Sequence, residues 1–343
     1  MWTLFNAVGR AWMFVINQWQ AEHHILKNTL KVPEFLDEAK RSFDADNPKY
    51  EHHIWDVDSC YPSMPRADIV KAMGEILEAV RHNGRGRRQS KKFIAVPRSK
   101  NEKPTWGTAY PEAMKATHMK IDFDVLMDVL EFSLDNAVCK LGTRMIRQVK
   151  GIPQGDSLSP AVCIGTLGWY ENAWMKKQSV KTKKNMRITR YLDDVLMVIN
   201  AKMQGHTETI KSYTTECFPP GLSLEGEDGE CYYLETTIRN DGSNIECQHR
   251  NKNATMTHQE YYRGKHAWSF NEEKHKFGAM IGTFLRIERN SSTTKLAFAS
   301  MKEKIFELKT LKYTDKQIKN TIRYLANKHP FSPLWYTTAM SLP

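Results

Sequence analysis

Six cysteines in 343 residues form no CxxC pair and follow no regular spacing. That pattern argues against a zinc site and against a disulfide framework, and it suits a reducing compartment. No apolar run approaches the roughly 20 residues of a membrane-spanning helix. The longest near the N-terminus, "AWMFVI" (11–16), lies between Arg10 and Gln18 and lacks the longer apolar region of a secretory signal. No internal repeat is visible. Acid is in short supply: 39 Asp and Glu stand against 50 Lys and Arg, a net charge of +11. A surplus that large points to a polyanionic partner, either nucleic acid or an anionic membrane face.

What is present is globular. With 41% hydrophobic residues the chain can bury a sizeable core, and its length suggests two or three packed units. The charge is uneven. Residues 81–104 carry nine Lys or Arg and one Glu; residues 176–190 carry seven and no acid. Residues 222–246 carry seven acids and one Arg. Either basic run alone reads as a solvated loop. Taken jointly, the two are better read as phosphate contacts.

Periodicity predicts helix over 10–45, with "EFLDEAKRSF" (34–43) following Pro33. "HIWDVDSCY" (53–61) is strand-like. "PRADIVKAMGEILEAV" (65–80) places Ile69, Met73, Ile76, Leu77 and Val80 on one helical face. The Gly/Arg-rich stretch 83–90 reads as a loop. Further helices are expected at 122–138, at 157–175 with Ser159 as N-cap and Pro160 at N1, and at 203–217. "RITRYLDD" and "VLMVIN" read as two strands meeting at the aspartates. A hairpin is expected to turn at Asn240-Asp241-Gly242, and from about 272 onward the pattern is helical. This order describes an α+β fold: an antiparallel sheet backed by helices, with a helical appendage.

Three aspartates stand out. Asp193 and Asp194 lie where the two strands meet; Asp56 ends an earlier strand. Such positions can converge at one edge of an antiparallel sheet. Two unpaired carboxylates repel by about 4 kcal/mol at roughly 4 Å and an effective dielectric of about 20. A divalent cation reverses that sign, and Mg²⁺ takes one or two carboxylates plus substrate phosphates. Two such ions about 3.5–4 Å apart stabilise both attacking and leaving oxygens in phosphoryl transfer. An Asp pair alone also suits an ordinary hairpin turn; its company decides.

That company is "DVDSCYPSMP" (56–65) and "KGIPQGDSLSPAVC" (150–163). D-x-x-x-x-[YF], then [PQ]-x-G-x-x-x-SP, then Y-x-DD, in this order, resembles motifs A, B and C of reverse transcriptases. The resemblance implies a right-hand fold of fingers, palm and thumb that copies RNA into DNA. It implies that Asp56 and Asp194 coordinate Mg²⁺ (or Mn²⁺), with Asp193 beside them in the catalytic triad and the Val57 carbonyl as a further ligand. It implies a nucleotide site at Tyr61, Gln154 and Gly155. An aromatic ring under the incoming sugar leaves no room for a 2′-hydroxyl, so Tyr61 favours deoxynucleotides. Asp156 departs from the small residue usual there; it points to solvent or weakens nucleotide binding.

Downstream segments (222–253, 275–292 and 307–325), with 128–155 upstream, resemble the Penelope-like branch, although "PQG" looks more like the group II intron and telomerase form. The implied organisation is helical partial fingers at 1–55, a palm at 56–255 with a basic finger-like insertion at about 81–120, and a helical thumb at 256–343. Arg85, Arg87, Arg88, Lys91 and Lys92 of that insertion are candidate nucleic-acid contacts. Implied partners are an RNA template, a DNA or RNA primer and dNTPs, with no membrane. The implied location is intracellular, nuclear in a eukaryote. The family's Arg-Pro-Ile-like finger strand is missing among the 55 residues before Asp56, which predicts a truncated retroelement copy. Two alternatives stay open: a catalytically inactive nucleic-acid-binding copy, and an RNA-dependent RNA polymerase. The general acid is unassigned.

Overall fold

The computed structural model describes residues 2–22, 24–26, 28–43, 47–82, 92–227, 229–251 and 265–341. The chain begins with α1 (Trp2–Gln18), a 3-10 turn (Thr29–Lys31), α2 (Val32–Ser42), β1 (Tyr50–Val57), α3 (Cys60–Ser63) and α4 (Arg66–His82). There follow β2 (Phe93–Pro97), β3 (Thr105–Gly107), α5 (Glu112–Thr117), β4 (His118–Asp122) and α6 (Phe123–Asp135). Next come β5 (Val138–Leu141), β6 (Arg144–Arg147), α7 (Ser159–Lys177), α8 (Val180–Lys184), β7 (Met186–Tyr191) and β8 (Asp194–Asn200). Then α9 (His206–Glu216), β9 (Leu224–Glu225), β10 (Tyr232–Tyr233), β11 (Thr236–Asn240) and β12 (Ile245–His249). The chain closes with α10 (Glu273–Arg289), α11 (Thr294–Thr310), α12 (Asp315–Lys328) and α13 (Pro333–Ser341). Among the described residues no helix is long and apolar enough to cross a membrane.

Two compact units share these elements. The first takes Met1–Ile25, Asp56–Ser179 and Thr207–Glu225; the second takes Leu26–Trp55, Val180–His206 and Gly226–Pro343. β1 contributes to both, with Asp56 and Val57 in the first.

In the first unit α7 is buried around its circumference, which is why no polar stripe marks it. Two of its buried polar groups reach back to the chain after α1. Glu171 accepts the His24 backbone N–H at 3.2 Å, and Asn172 accepts that of Glu22 at 3.1 Å. α4 buries all five residues of its expected face, Ile69 through Val80. Trp12 of α1 is fully buried and donates Nε1 to the Leu126 carbonyl of α6 at 3.3 Å. A small antiparallel sheet, β3-β2-β4, adds the wholly buried strand "FIAVP". Arg10 of α1 donates to the carbonyls of Pro97 and Ser99 at 2.5 and 3.0 Å, fixing the end of β2.

In the second unit β7 and β8 pair antiparallel, and β8 is also hydrogen-bonded to β1. Leu196 and Val198 of β8 meet Val32, Leu36 and Ala39 of α2 and Ile238, Ile245 and Cys247 of β11–β12 in one core. The β11–β12 hairpin turns at the expected place: Gly242 has φ +86°, and Asp241 accepts the N–H groups of Ser243 and Asn244 at 2.9 and 2.7 Å. α10 to α13 share a separate core built on Phe284, Met301, Ile318, Ile322 and Trp335. Thr314 and Gln317 form a capping box that starts α12.

Three local expectations are corrected. The predicted helix over 10–45 is broken between Gln18 and Thr29, because backbone donors at Glu22, His24 and Leu26 go to partners far along the chain. The strand predicted over 53–61 ends at Val57, and Tyr61 lies on α3. Ser159 is the first residue of α7 rather than its cap; its hydroxyl donates to the Pro153 carbonyl.

Burial, with Arg286 and Lys304 nearby, pushes the His249 imidazole from 6.5 down to about 4. The unfolded chain therefore takes up this proton first, and the fold loses stability as pH falls from about 6.5 towards 4, by up to ~3 kcal/mol. Urea denaturation at pH 7 and pH 4.5 checks this. His249→Gln is expected to lower the overall stability modestly and to flatten the acid dependence; an unchanged dependence removes His249 as its source.

Candidate active site

Tyr191 pairs with Asp194, so Leu192 and Asp193 form a two-residue turn between β7 and β8. Leu192 has φ +57°, in the left-handed region that favours glycine. A positive φ at the first loop residue is what a type II′ hairpin turn requires. Leucine in that position costs about 1–3 kcal/mol and persists only where neighbours over-determine it. The neighbours are identifiable. Arg190 is fully buried and donates Nη1 to the Leu192 carbonyl at 2.5 Å, while its own carbonyl accepts the Leu26 N–H at 2.7 Å. The Tyr233 hydroxyl donates to the Asp194 carbonyl at 3.4 Å. Beyond the turn, Val195 to Ile199 are fully buried. Asp193 and Asp194 are half-buried. Two carboxylates are thereby presented at the rim of a strand pair that cannot slide.

Asp194 also borders a cavity of about 610 Å³ within the second unit, with Asn28, Tyr232, Glu235, Arg250 and Arg286 among its walls. The Arg250 guanidinium lies 3.6 Å from the Tyr232 ring centroid, and Arg286 is 3.0 Å from a Glu235 oxygen. A planar cation stacked on an aromatic face keeps its edge donors available for an anion.

The first unit holds the other half of the predicted set. Asp56, exposed, and Val57, buried, pair with Glu225 and Leu224 of β9. Ser59 then adopts φ +46°, and the chain turns into α3 with the half-buried Tyr61. The Tyr61 carbonyl accepts the Ile152 N–H at 2.6 Å. Gly151, at φ +67°, packs so closely that a Cβ there would stand 2.1 Å from that same carbonyl oxygen. Arg66 donates to the Gln148 carbonyl at 2.7 Å, and the Cys60 and Cys163 sulfurs are 3.5 Å apart. The turn after Asp56 and the loop before α7 are thus one packed assembly, and it leaves Gln154 and Gly155 exposed.

Asp156 is neither solvent-directed nor spare. Its carboxylate accepts the Leu158 N–H at 3.2 Å and the hydroxyl of Ser133 on α6, so it fastens the loop to the helix behind it. Lys92 is exposed, with its backbone N–H on the Gly107 carbonyl at 3.1 Å. Arg85, Arg87, Arg88 and Lys91 lie outside the described residues. Sequence reasoning missed Gly151, Arg66, Arg190, Arg250 and Arg286. Only Arg190 carried a signal: a charge inside a strand otherwise fit for burial.

Among the described residues no three or more His, Cys, Asp or Glu side chains form a cluster able to hold a metal ion. Exposed and half-exposed carboxylates are nonetheless the donors that Mg²⁺ and Mn²⁺ prefer. Mg²⁺ completes its shell with water and substrate phosphates, so one or two of these aspartates suffice for the protein's share.

The two glycines of the loop give a direct test. Gly151→Ala is expected to lose at least 2 kcal/mol, because both φ and the Tyr61 carbonyl oppose it. Gly155→Ala meets open space and is expected to cost only about 1 kcal/mol of backbone strain. Equal losses in chemical denaturation would refute the packed assembly.

No protein-family model and no curated protein matches the sequence. Solved structures do. The telomerase from Candida albicans in complex with a TWJ fragment of telomeric RNA aligns at TM-score 0.58 and 12% identity, over 94% of this chain and 52% of that one. The Candida tropicalis telomerase with a TWJ fragment aligns at 0.55 and 12%, over 97% and 49%. Its apo form aligns at 0.53 and 10%, over 92% and 52%. The chain spans about half the length of these proteins. At this identity the likeness shows the fold alone: mixed helices and antiparallel sheets arranged as in these telomerase chains.

Proposed function

We propose that this chain is an RNA-directed DNA polymerase, encoded by a retroelement, that adds dNTPs to a primer 3′-hydroxyl. The observation that carries the proposal is the Asp193-Asp194 turn bordering a cavity walled by Arg250 and Arg286. The telomerase-like fold supports it, and an RNA-bound neighbour supports RNA as a partner. Within reverse transcriptases, the Penelope-like assignment rests on the sequence segments alone.

Asp56, Asp193, Asp194 and the Val57 carbonyl would hold Mg²⁺ or Mn²⁺. Bound there, such ions would neutralise charge on the triphosphate and on the attacking and leaving oxygens. The remaining work falls to the chain. Arg250 and Arg286 bind primer phosphates and so hold the 3′ end at Asp194. Gln154 and Gly155 offer an exposed surface to the nucleotide. Tyr61 fills the space a 2′-hydroxyl would need, on a turn that Ile152 and Gly151 hold in place. The primer hydroxyl then attacks the α-phosphorus and pyrophosphate leaves. Positioning and charge neutralisation supply most of the rate.

Primer extension on a primed RNA with Mg²⁺ and dNTPs tests the proposal. Asp193→Asn and Asp194→Asn are each expected to reduce synthesis by at least a thousandfold and to leave salt-sensitive RNA binding intact. Survival of synthesis in both would overturn the site. Binding without any extension by the unaltered chain would make it an inactive copy.

Tyr61→Ala is expected to raise ribonucleotide incorporation relative to dNTPs by tenfold or more. An unaltered chain that already prefers NTPs would make it an RNA polymerase instead.

A further inference from the structure

The hairpin of β5 and β6 has no cover on either face. All eight strand residues are exposed, with Leu141 and Met145 each at 68%. Directly opposed residues of an antiparallel pair share a face. Val138, Lys140, Met145 and Arg147 therefore lie on one face, and Cys139, Leu141, Arg144 and Ile146 on the other. Each face mixes apolar side chains with cations, so neither is patterned to pack against a core. A two-stranded hairpin standing alone is marginal in water, and an exposed apolar cluster marks an interaction surface.

The base of this ribbon is fixed. The Gln148 N–H donates to the Ala137 carbonyl at 2.8 Å, and its side-chain amide donates to the carbonyls of Lys150 and Ile152 at 2.7 and 3.1 Å. The Gln148 carbonyl in turn accepts from Arg66. The ribbon thus grows out of the loop that packs on Tyr61 and leads to Gln154. It is anchored at one end and bare along its length.

Charge selects the partner. Residues 137–150 contain Lys140, Arg144, Arg147 and Lys150 and no acid. All four are exposed, and none has an ion-pair partner among the described residues. A protein surface would satisfy the apolar side chains and leave these cations unopposed. A nucleic-acid strand satisfies both, with phosphates for the cations and sugar and base faces for the apolar groups. We propose that the β5–β6 ribbon is a nucleic-acid-binding arm that grips the RNA template: Lys140, Arg144 and Arg147 hold backbone phosphates, and Leu141, Met145 and Ile146 lie against sugars and bases. The identity of the strand rests on the polymerase reading; the anchored, cationic ribbon does not.

The test uses the full chain and a fluorescent primed RNA, with affinity measured from 50 to 200 mM salt. Each lost phosphate contact lowers the slope of log affinity against log salt by about 0.7–0.9. The triple variant Lys140→Ala, Arg144→Ala, Arg147→Ala is expected to lower it by about 2–3 and to weaken binding at least tenfold. A second readout needs no change in the ribbon. Cys139 is exposed, whereas Cys60, Cys163, Cys217 and Cys247 are buried. In a Cys231→Ser background, RNA is expected to slow thiol modification of Cys139 several-fold. An unchanged slope with unprotected Cys139 overturns the arm. So does protection of Cys139 by rising protein concentration without RNA, which would assign the ribbon to a second copy of the chain. The two proposals separate cleanly: extension with an unchanged slope removes only the arm, whereas a reduced slope without extension supports the arm and removes only the polymerase.

Discussion

Arg190 is fully buried, and its guanidinium donates to the carbonyl of Leu192. The geometry around the paired aspartates depends on this contact. A buried cation is costly unless its donors are used, and here one of them closes the turn on which both carboxylates stand. Leu192 is held at a φ that leucine avoids, between a strand of wholly buried residues and a strand that Leu26 ties down. The apolar residues around "YLDD" make the hairpin rigid, and rigidity keeps two like charges side by side. The strain is local, and the ladder from Met186–Ile199 to Tyr191–Asp194 offsets it.

The first unit reaches a comparable result with different chemistry. Its turn after Asp56 is held from outside by backbone and glycine. Ile152 donates to Tyr61, Gly151 has no side chain because none would fit, and Asp156 secures the far side of the loop to Ser133. Here glycine permits contact between two main chains; at the acid pair an arginine enforces a turn where glycine would have been easy. Both devices leave polar groups displayed on backbone that cannot relax away from them.

Where burial is one-sided, the sequence was legible. α4 buries the five residues its periodicity names, and the turn at Gly242 falls where turn chemistry puts it; the strands flanking the acid pair were legible as apolar runs that the two aspartates interrupt. The short strand β2 went unrecognised inside a basic stretch, since five residues buried on every side show no alternation. The β5–β6 ribbon escaped for the opposite reason, being exposed on every side. The break after Gln18 was invisible because helix-compatible residues there give their N–H groups to Glu171 and Asn172, some 150 positions away, and local propensity does not register such partners. At the site, the aspartates, Tyr61 and the Gln154-Gly155 pair were legible because spacing carries them. Arg250 and Arg286 were not, because only folding places a residue just past β12 and a residue of α10 on one cavity wall.

Charge organises the molecule more evenly than the net value of +11 suggests. Arg190 is spent inside, on backbone. Arg250 and Arg286 are half-engaged, one on a tyrosine face and one beside a glutamate, which holds them in place without neutralising the cavity. Lys140, Arg144 and Arg147 are exposed, in a stretch (137–150) that holds no acid. Free cations cost a folded protein little in water; the exposed apolar side chains beside them, on a hairpin of only two strands, cost it solubility and local order. In the proposed arm a polyanion offsets that cost by covering both kinds of group together. The gradient from buried to half-engaged to free suits the proposed strand-binding role. Fixed charge belongs where geometry must not change, and available charge belongs where a long, variable ligand has to be taken up and released.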